Sequence, residues 1–276
     1  MRLGYNTNGF AHHRLEDTFE ILAEIGYAGA ALTLERDLLD PPDPGGVSRA
    51  VDRLRRILEH TRLAVSIETG SRFILDPRRK HQPTLISANP GGRRRRLEFL
   101  VAAVDIAAEI GAECVSLWSG AADQDADGQL LLERLTAGLR TLLTRCEPRG
   151  VRLAFEPEPG MFIDTMERFA QLHDRLCHPL FGLTLDVGHV HCLGDGDIGE
   201  RVRRWRDRLW NVHIEDARHG AHEHLMFGEG DLNFAMVFEA LRGISYPGPV
   251  HVELSRHSHN AVDVARRSLE FLRGFA

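Results

Sequence analysis

Short apolar runs alternate with amphipathic segments along the whole chain, and the alternation occurs eight times. Runs rich in β-branched and aliphatic residues predict buried parallel strands, and amphipathic segments predict helices that cover them. The predicted strands are Leu3–Thr7, Ala28–Leu34, Ala64–Glu68, Cys114–Trp118, Arg152–Glu156, Phe181–Asp186, Leu209–His213 and Pro249–Leu254. The predicted helices are Leu15–Ile25, Val47–His60, Arg94–Ile110, Gln129–Cys146, Thr165–Leu176, Ile198–Trp205, Phe234–Leu241 and Ala261–Leu272.

Eight strand–helix units predict an α/β fold of the (β/α)₈ barrel type. Apolar residues at helical spacing, such as Leu97, Val101, Val104 and Ala108, support the helices. A chain of 276 residues fits one such barrel, and no break in composition marks a second domain, so we expect residues 1–276 to form a single domain. A doubly wound open sheet is the alternative, but no GxGxxG motif follows the first strand.

Polar residues that are good metal ligands close the last four predicted strands. The segments are VRLAFE, FGLTLD, LWNVH and VHVE, which end on Glu156, Asp186, His213 and Glu253. Because neighbouring parallel strands deliver their C-terminal ends to one edge, these four side chains converge if their strands are adjacent. Three carboxylates and one imidazole suit Mn²⁺, Mg²⁺, Co²⁺ or Zn²⁺. We therefore expect one divalent metal ion at the C-terminal ends of strands five to eight.

The last of these segments also contains His251. Strand alternation places His251 on the same side as Glu253, one layer below it. We expect His251 to be a buried histidine that supports the site rather than a direct ligand.

Composition and charge indicate which binding partners and which cellular compartment to expect. The formal net charge of −6 argues against a general nucleic-acid surface, and the single basic run, Arg93–Arg96, is expected to be a solvated or substrate-facing turn. Four cysteines without CxxC spacing indicate reduced thiols. With no apolar signal core and no run long enough to span a membrane, we expect a cytoplasmic protein.

Two long loops are expected to close over a small polar substrate, because long loops in a compact barrel are usually lids or binding loops. One is Ser71–Gly92 and the other is Ile214–Leu232. The second contains three of the predicted substrate contacts, namely Arg218, His222 and His224.

The order Glu156…Asp186-Val-Gly-His189…His213…Glu253, with the segment HEHLMFGEG after strand seven, resembles the xylose-isomerase-like barrel superfamily. That superfamily contains sugar and sugar-phosphate isomerases, ketose 3-epimerases, inosose dehydratases and apurinic endonucleases. The resemblance covers nearly the whole chain and implies that these two glutamates, the aspartate and His213 bind one metal ion. It also implies that Glu156 and Glu253 move protons on opposite faces of the substrate, and that His189 contacts substrate oxygens.

Three further polar or aromatic residues near predicted strand ends have two interpretations each. Glu158 either bonds a substrate hydroxyl or holds its loop, and Glu68 either contacts a hydroxyl or forms a salt bridge. Trp118 either packs at the top of the barrel or forms a wall against a sugar face.

The trinuclear apurinic endonucleases carry histidines at the ends of strands three and four, where this chain has Glu68 and Trp118. This departure, with the acidic charge, argues against DNA repair. His189, His222 and His224 either bind a second metal ion, for which three imidazoles suit Zn²⁺, or contact the substrate.

The leading hypothesis is therefore a metal-dependent isomerase or epimerase of a sugar, a sugar phosphate or a keto-polyol. A metal ion that holds both oxygens of an enediolate stabilises it, and glutamates move the protons. A keto-polyol dehydratase begins with the same enolate, and a carbohydrate-binding barrel without activity is a third alternative. The sequence leaves open the substrate and its phosphorylation, the native metal (manganese among the candidates), and whether the protein is a homodimer or a homotetramer.

Overall fold

The computed structural model describes residues 1–40, 43, 45–70, 72–122 and 126–276. In this part of the chain, eight parallel strands form a closed barrel in the order β1-β10-β7-β6-β5-β4-β3-β2, and two more form a separate antiparallel hairpin, β8-β9. The strands are β1 Arg2–Asn6, β2 Gly29–Thr33, β3 Ala64–Glu68, β4 Val115–Leu117, β5 Leu153–Phe155, β6 Phe181–Asp186, β7 Leu209–Ile214, β8 Asp216–Arg218, β9 Ala221–Leu225 and β10 Pro249–Val252. The predicted barrel is confirmed.

Helices connect the barrel strands. They are α1 Leu15–Ile25, α2 Gly46–Thr61, α3 Pro90–Ile110, α4 Gly128–Cys146, α5 Met166–Leu176, α6 Val187–Leu193, α7 Ile198–Trp205, α8 Phe234–Gly243 and α9 Ala261–Arg273. All eight predicted helices are present, and most differences in their ends are one or two residues. Among the described helices, none combines the length and the apolar character that crossing a membrane would require.

The chain divides into two compact units, of which the first comprises Met1–Leu32, Arg56–Ser66 and Leu183–Ala276. Three of its strands are in register across one row, with Gly4 opposite His251 and His251 opposite His213. On β6 and β7 the matching pairs are Thr184 with Asn211 and Asp186 with His213. Because side chains alternate along a strand, these pairs set two successive layers of inward-facing polar residues.

The second unit comprises Thr33–Arg55 and Ile67–Gly182. Its core includes a group of aromatic rings in which Phe155 and Phe169 are stacked with centroids 6.1 Å apart, and Phe181 packs against both. This group fixes the end of β5, which is the segment that carries Glu156.

The basic run Arg93–Arg96 lies within helix α3 and not in a turn, and one of its residues is not solvated. Helix α3 begins at Pro90, four residues before the predicted start, because the Asn89 side chain accepts hydrogen bonds from the N–H groups of Gly91 and Gly92. Arg96 is then turned into the protein, where it is only 2% exposed. Its guanidinium donates to the carbonyl of Thr69 and lies 4.6 Å from the ring of Trp118, so it is neither solvated nor part of a turn.

The segment Ile214–Leu232, predicted as a loop, contains the β8-β9 hairpin. The carboxylate of Asp216 accepts hydrogen bonds from three backbone N–H groups further along, those of Gly228, Gly230 and Leu232. At the other end of the hairpin, His219 and Gly220 form the turn, with Gly220 at φ +79°. The hairpin is therefore fixed at its base and has a tight turn at its tip.

Candidate active site

Three of the four predicted metal ligands meet at the C-terminal ends of β6, β7 and β10. Asp186 is the last residue of β6, His213 is the next to last of β7, and Glu253 follows β10 directly. Each offers a ligand atom, and these atoms lie within 4.8 Å of one another. Asp186 and His213 are buried, and the Glu253 side chain is 15% exposed. A cluster this close would repel itself unless a proton or a cation lay within it.

Glu253 is held at both carboxylate oxygens. Its Oε2 lies 2.9 Å from Nδ1 of His213, and its Oε1 accepts a hydrogen bond of 2.8 Å from the side-chain amide of Asn8. Burial alone would raise the pKa of Glu253, but the facing His213 holds that pKa well below its ordinary value. The carboxylate therefore stays ionised, as a metal ligand or a base must be.

One carboxylate oxygen of Asp186 accepts a hydrogen bond, and the other, Oδ2, lies 3.6 Å from Nε2 of His189, beyond hydrogen-bond distance. Oδ1 accepts a hydrogen bond of 2.8 Å from the N–H of His189 and so caps helix α6. Oδ2 is buried and accepts no hydrogen bond from the described residues. An orphaned buried carboxylate oxygen is costly, and a cation beside it would remove that cost. The carboxylates of Asp186 and Glu253 and the imidazole of His213 together fit a divalent ion.

Glu215 is a buried carboxyl that the sequence analysis missed. It lies two residues after His213, so strand alternation puts it on the same side, and that spacing was the available signal. Burial raises the pKa of Glu215 well above its ordinary value, and the charges of Asp186 and Glu253 raise it further. A Cβ at Gly188 would overlap Oε1 of Glu215, so only glycine leaves room for this carboxyl.

Three histidines form a second cluster beside the first. Helix α6 carries His189, and strand β9 carries His222 and His224. Nε2 of His189 lies 3.1 Å from Nε2 of His222, and the three residues offer nitrogens within 4.8 Å of one another. Desolvation first, and then His189 and His224, lower the pKa of His222 to about 4, so its ring stays neutral at pH 7. The hairpin thus brings His222 and His224 to His189, as the substrate-contact and second-ion hypotheses both require.

Arg218 does not turn toward either cluster. It is exposed, and its guanidinium donates a hydrogen bond of 2.6 Å to the carbonyl of Glu229 and lies 3.5 Å from the carboxylate of Glu223. Its predicted substrate contact would require it to leave these partners.

The remaining predicted residues lie in the second unit. Glu156 is buried, follows β5 directly, and donates its N–H to the carbonyl of Leu117 over 2.8 Å. Glu68 is the buried last residue of β3, and the N–H of Glu158 donates to Ile163. Trp118 is buried, with His81 packed edge-on 5.2 Å from it and Arg96 over its ring. This packing favours the structural interpretation of Trp118.

The chain matches a known family over most of its length. A family model described as "xylose isomerase-like TIM barrel" matches residues 15–275. Among curated relatives, the L-ribulose-5-phosphate 3-epimerase UlaE of Shigella flexneri is 26% identical over 193 residues, which are 68% of this chain and 66% of that protein. Its counterpart in Escherichia coli SMS-3-5 is 25% identical over 216 residues, 75% of either chain. The matches span roughly three fifths to two thirds of the length of three of the relatives.

Solved structures match over nearly the full length. The 3-keto-D-glucoside 4-epimerase YcjR of E. coli gives a TM-score of 0.80 at 18% identity, with 99% of both chains covered. The D-allulose 3-epimerase of Methylomonas sp., in complex with D-allulose, gives 0.78 at 20% identity, with 100% of this chain and 97% of that chain covered. The IolI protein, solved with a zinc atom, gives 0.78 at 17% identity, with 99% of this chain and 97% of that chain covered. At these identities the likenesses bear on the fold alone.

Proposed function

Because the chain belongs to the xylose-isomerase-like TIM barrel family, we propose that it is a divalent-metal-dependent epimerase or isomerase of a keto-sugar. The observation that carries the proposal is the meeting of Asp186, His213 and Glu253, in which the buried Oδ2 of Asp186 accepts no hydrogen bond from the described residues. The names of the relatives, which are sugar and sugar-phosphate epimerases, support the substrate class.

We extend the site to Glu156. It closes β5 as Asp186 closes β6, and these two parallel strands are neighbours in the strand order of the barrel. The burial of Glu156 supports a role that offsets the cost of a buried carboxylate. Glu156, Asp186, His213 and Glu253 would then hold one ion.

The chemistry is a proton transfer at the carbon beside a carbonyl. A bound divalent ion would supply Lewis-acid stabilisation of the negative charge that develops on the substrate oxygens. Glu253, ionised and held at both oxygens, removes the proton from that carbon, and Glu156, which enters the step protonated, gives its own proton to the opposite face. Glu253 then releases its proton to water and Glu156 regains one before the next turnover. Two glutamates on opposite faces give epimerisation, whereas return from one glutamate gives isomerisation.

The three histidines are proposed as contacts to substrate hydroxyls. His189 is buried next to Asp186, while His222 is exposed, so the cluster runs from the metal site toward solvent. Neutral imidazoles can both donate to and accept from hydroxyl groups. A second ion held by the same nitrogens is the alternative, and the close approach of His189 and His222 is the observation that favours it.

Deuterium exchange tests the proposed reaction. Ketohexoses, 3-keto-glucosides and ketopentose phosphates are incubated with the protein and Mn²⁺ in D₂O, and deuterium at the carbon beside the carbonyl is followed by NMR. Uptake without loss of water supports an epimerase or isomerase, and a new enone absorbance would indicate a dehydratase. If none of these compounds takes up deuterium, the proposal is overturned.

Two glutamine variants assign the bases. Glu253→Gln and Glu156→Gln should each lower the exchange rate about 10²- to 10⁴-fold, the usual effect of losing a general base. Glu270→Gln, an exposed site on α9, is the matched control and should leave the rate unchanged. Full exchange in either site variant would remove that glutamate from the mechanism.

A further inference from the structure

Behind the proposed metal ligands, a row of side chains is linked through one amide. Nδ1 of His251 lies 2.9 Å from Oδ1 of Asn211, and Nδ2 of Asn211 lies 3.1 Å from Nε2 of His213. Nδ1 of His213 then faces Glu253. His251, Asn211 and His213 are all at most 1% exposed, so bulk water does not compete for these contacts.

The geometry decides which nitrogen of His213 can bind a cation. Nδ1 is the atom on the side of Glu253, at 2.9 Å, whereas Nε2 is turned toward Asn211. A cation can bind only a ring nitrogen that has a free lone pair, so the single proton of a neutral His213 must then sit on Nε2. That proton needs an acceptor, and the amide of Asn211, whose Nδ2 lies 3.1 Å away, can supply one if its oxygen takes that place.

In the structure, the amide of Asn211 directs its nitrogen, and not its oxygen, toward His213. With Nδ2 toward His213, Nε2 accepts a hydrogen bond and the His213 proton sits on Nδ1, where it donates to Glu253. A half-turn of the amide places its oxygen at Nε2–H of His213 and its nitrogen at Nδ1 of His251. Nε2 of His251 has no hydrogen-bond partner in the described part of the chain, so either nitrogen of that ring can carry its proton.

The absence of a side chain at Gly4 makes room for the ring of His251, which is the last residue of the row. Gly4 on β1 lies opposite His251 in the register of β1 and β10, and a Cβ at Gly4 would overlap the His251 ring. His251 therefore keeps a fixed ring position, and only its tautomer can change.

We propose that Asn211 is a positioning residue whose amide turns its nitrogen toward His213 while Nδ1–H of His213 donates to Glu253, and its oxygen toward His213 when a metal ion takes Nδ1. His251 changes tautomer in step, from Nδ1–H to Nε2–H. Each ring keeps one proton throughout, so the change is a rearrangement of hydrogen bonds with no net uptake or release within the row. The inference rests on the metal site of the proposed function.

NMR of the wild-type protein labelled with ¹⁵N-histidine tests it directly. The ring nitrogens of His213 and His251 are assigned with His213→Gln and His251→Gln, and Zn²⁺ is titrated. His251 should show Nδ1–H before zinc and Nε2–H at saturation, and it should remain neutral in both states. If zinc binds and the His251 tautomer stays the same, this proposal alone is overturned. If zinc does not bind the wild-type protein, the proposed metal site falls with it.

Two variants test whether Asn211 acts as a hydrogen-bond acceptor or only fills space. Asn211→Asp keeps an oxygen at Nε2–H of His213, and its zinc affinity, measured by competition with a chromophoric chelator, should be within about threefold of wild type or tighter. Asn211→Leu has no acceptor and should bind zinc about 10- to 100-fold more weakly, the usual cost of losing a partner behind a metal ligand. Wild-type affinity in Asn211→Leu, or equal weakening in both variants, would overturn the proposal.

Ser66→Ala is the matched control. Ser66 is a buried polar residue on another strand of the barrel, and its hydroxyl has no hydrogen-bond partner among the described residues. Its removal should leave zinc affinity and both histidine tautomers unchanged.

Discussion

The side-chain amide of Asn8 donates a hydrogen bond of 2.8 Å to Oε1 of Glu253, although the two residues are 245 positions apart in the chain. Asn8 lies in a short 3-10 helix after β1, Thr7–Phe10, whose first turn is capped by Asn6. The hydroxyl of Ser258 donates to the carbonyl of Asn8 from the other side. The first βα loop thus orients the carboxylate that we propose as a base.

Asn8→Ala should slow α-proton exchange about 10- to 100-fold, because a hydrogen bond to a charged group contributes roughly 1.5–3 kcal/mol. Asn8→Asp should be slower still, since it places a second negative charge beside Glu253. Exchange rates in D₂O at saturating metal measure both effects. Wild-type exchange in Asn8→Ala would show that His213 alone is sufficient to orient Glu253.

Metal removal should lower both activity and stability. A chelator should abolish exchange and reduce the melting temperature, and an ion at about 100 times its Kd should restore roughly 2.7 kcal/mol of stability. Asp186→Asn should purify with less metal than wild type and gain little stability from added metal. Asp207→Asn, at an exposed position, is the control. Equal metal content in wild type and Asp186→Asn would remove Asp186 from the site.

The histidine cluster is tested by counting ions. If His189, His222 and His224 contact the substrate, the protein should bind one ion per chain, and His224→Ala should raise KM while leaving the metal content unchanged. His60→Ala, on the exposed face of α2, serves as the control. A second ion that is lost only in His224→Ala would instead support the three-histidine metal site.

Stability should fall as the pH drops below about 6.5, in part because of His251. Burial first, and then the neighbouring His213, lower its pKa from 6.5 to about 3 in the folded protein. Below pH 6.5 the unfolded chain binds a proton at this histidine and the folded protein does not. The contribution of neutral His251 to the free energy of unfolding is therefore complete above pH 6.5 and is lost between pH 6.5 and 3. Between pH 7 and pH 5 this histidine should lower the free energy of unfolding by about 2 kcal/mol.

Urea unfolding of metal-free protein at pH 7 and pH 5 measures that loss. His251→Gln, which cannot be protonated, should show a smaller decrease by about the same 2 kcal/mol. An identical decrease in wild type and variant would show that His251 does not titrate as inferred.

Strand and helix periodicity was sufficient to predict the barrel because each strand is buried on both sides and each helix covers it with one face. The strand Phe181–Asp186 was predicted to the residue. Helix α6 was missed because it is only seven residues long and starts directly at the cap Asp186, so no polar linker separates it from the strand. The early start of α3 was missed because it depends on Asn89, whose capping role is a local contact rather than a periodic signal.

The convergence of Asp186, His213 and Glu253 could be predicted because each ends an apolar run, where a polar residue needs a partner. For Glu215 and Asn211 the signal was their spacing of two residues from His213, and it was missed because their contacts are with residues distant in sequence, namely Gly188 of helix α6 and His251. The burial of Arg96 was missed for the same reason, since its partners are the ring of Trp118 and the carbonyl of Thr69.

The clamp formed by Asp216 has a consequence for redesign. The carboxylate fixes the base of the β8-β9 hairpin through three N–H groups, and at the tip the N–H of Gly220 donates a hydrogen bond of 2.8 Å to the carbonyl of Cys192 on α6. Residues inserted at that tip would break its contact with α6, the helix that carries His189, while the base keeps its position. A library of loop lengths at this turn would therefore displace the histidine cluster while Asp186, His213 and Glu253 keep their places at the strand ends.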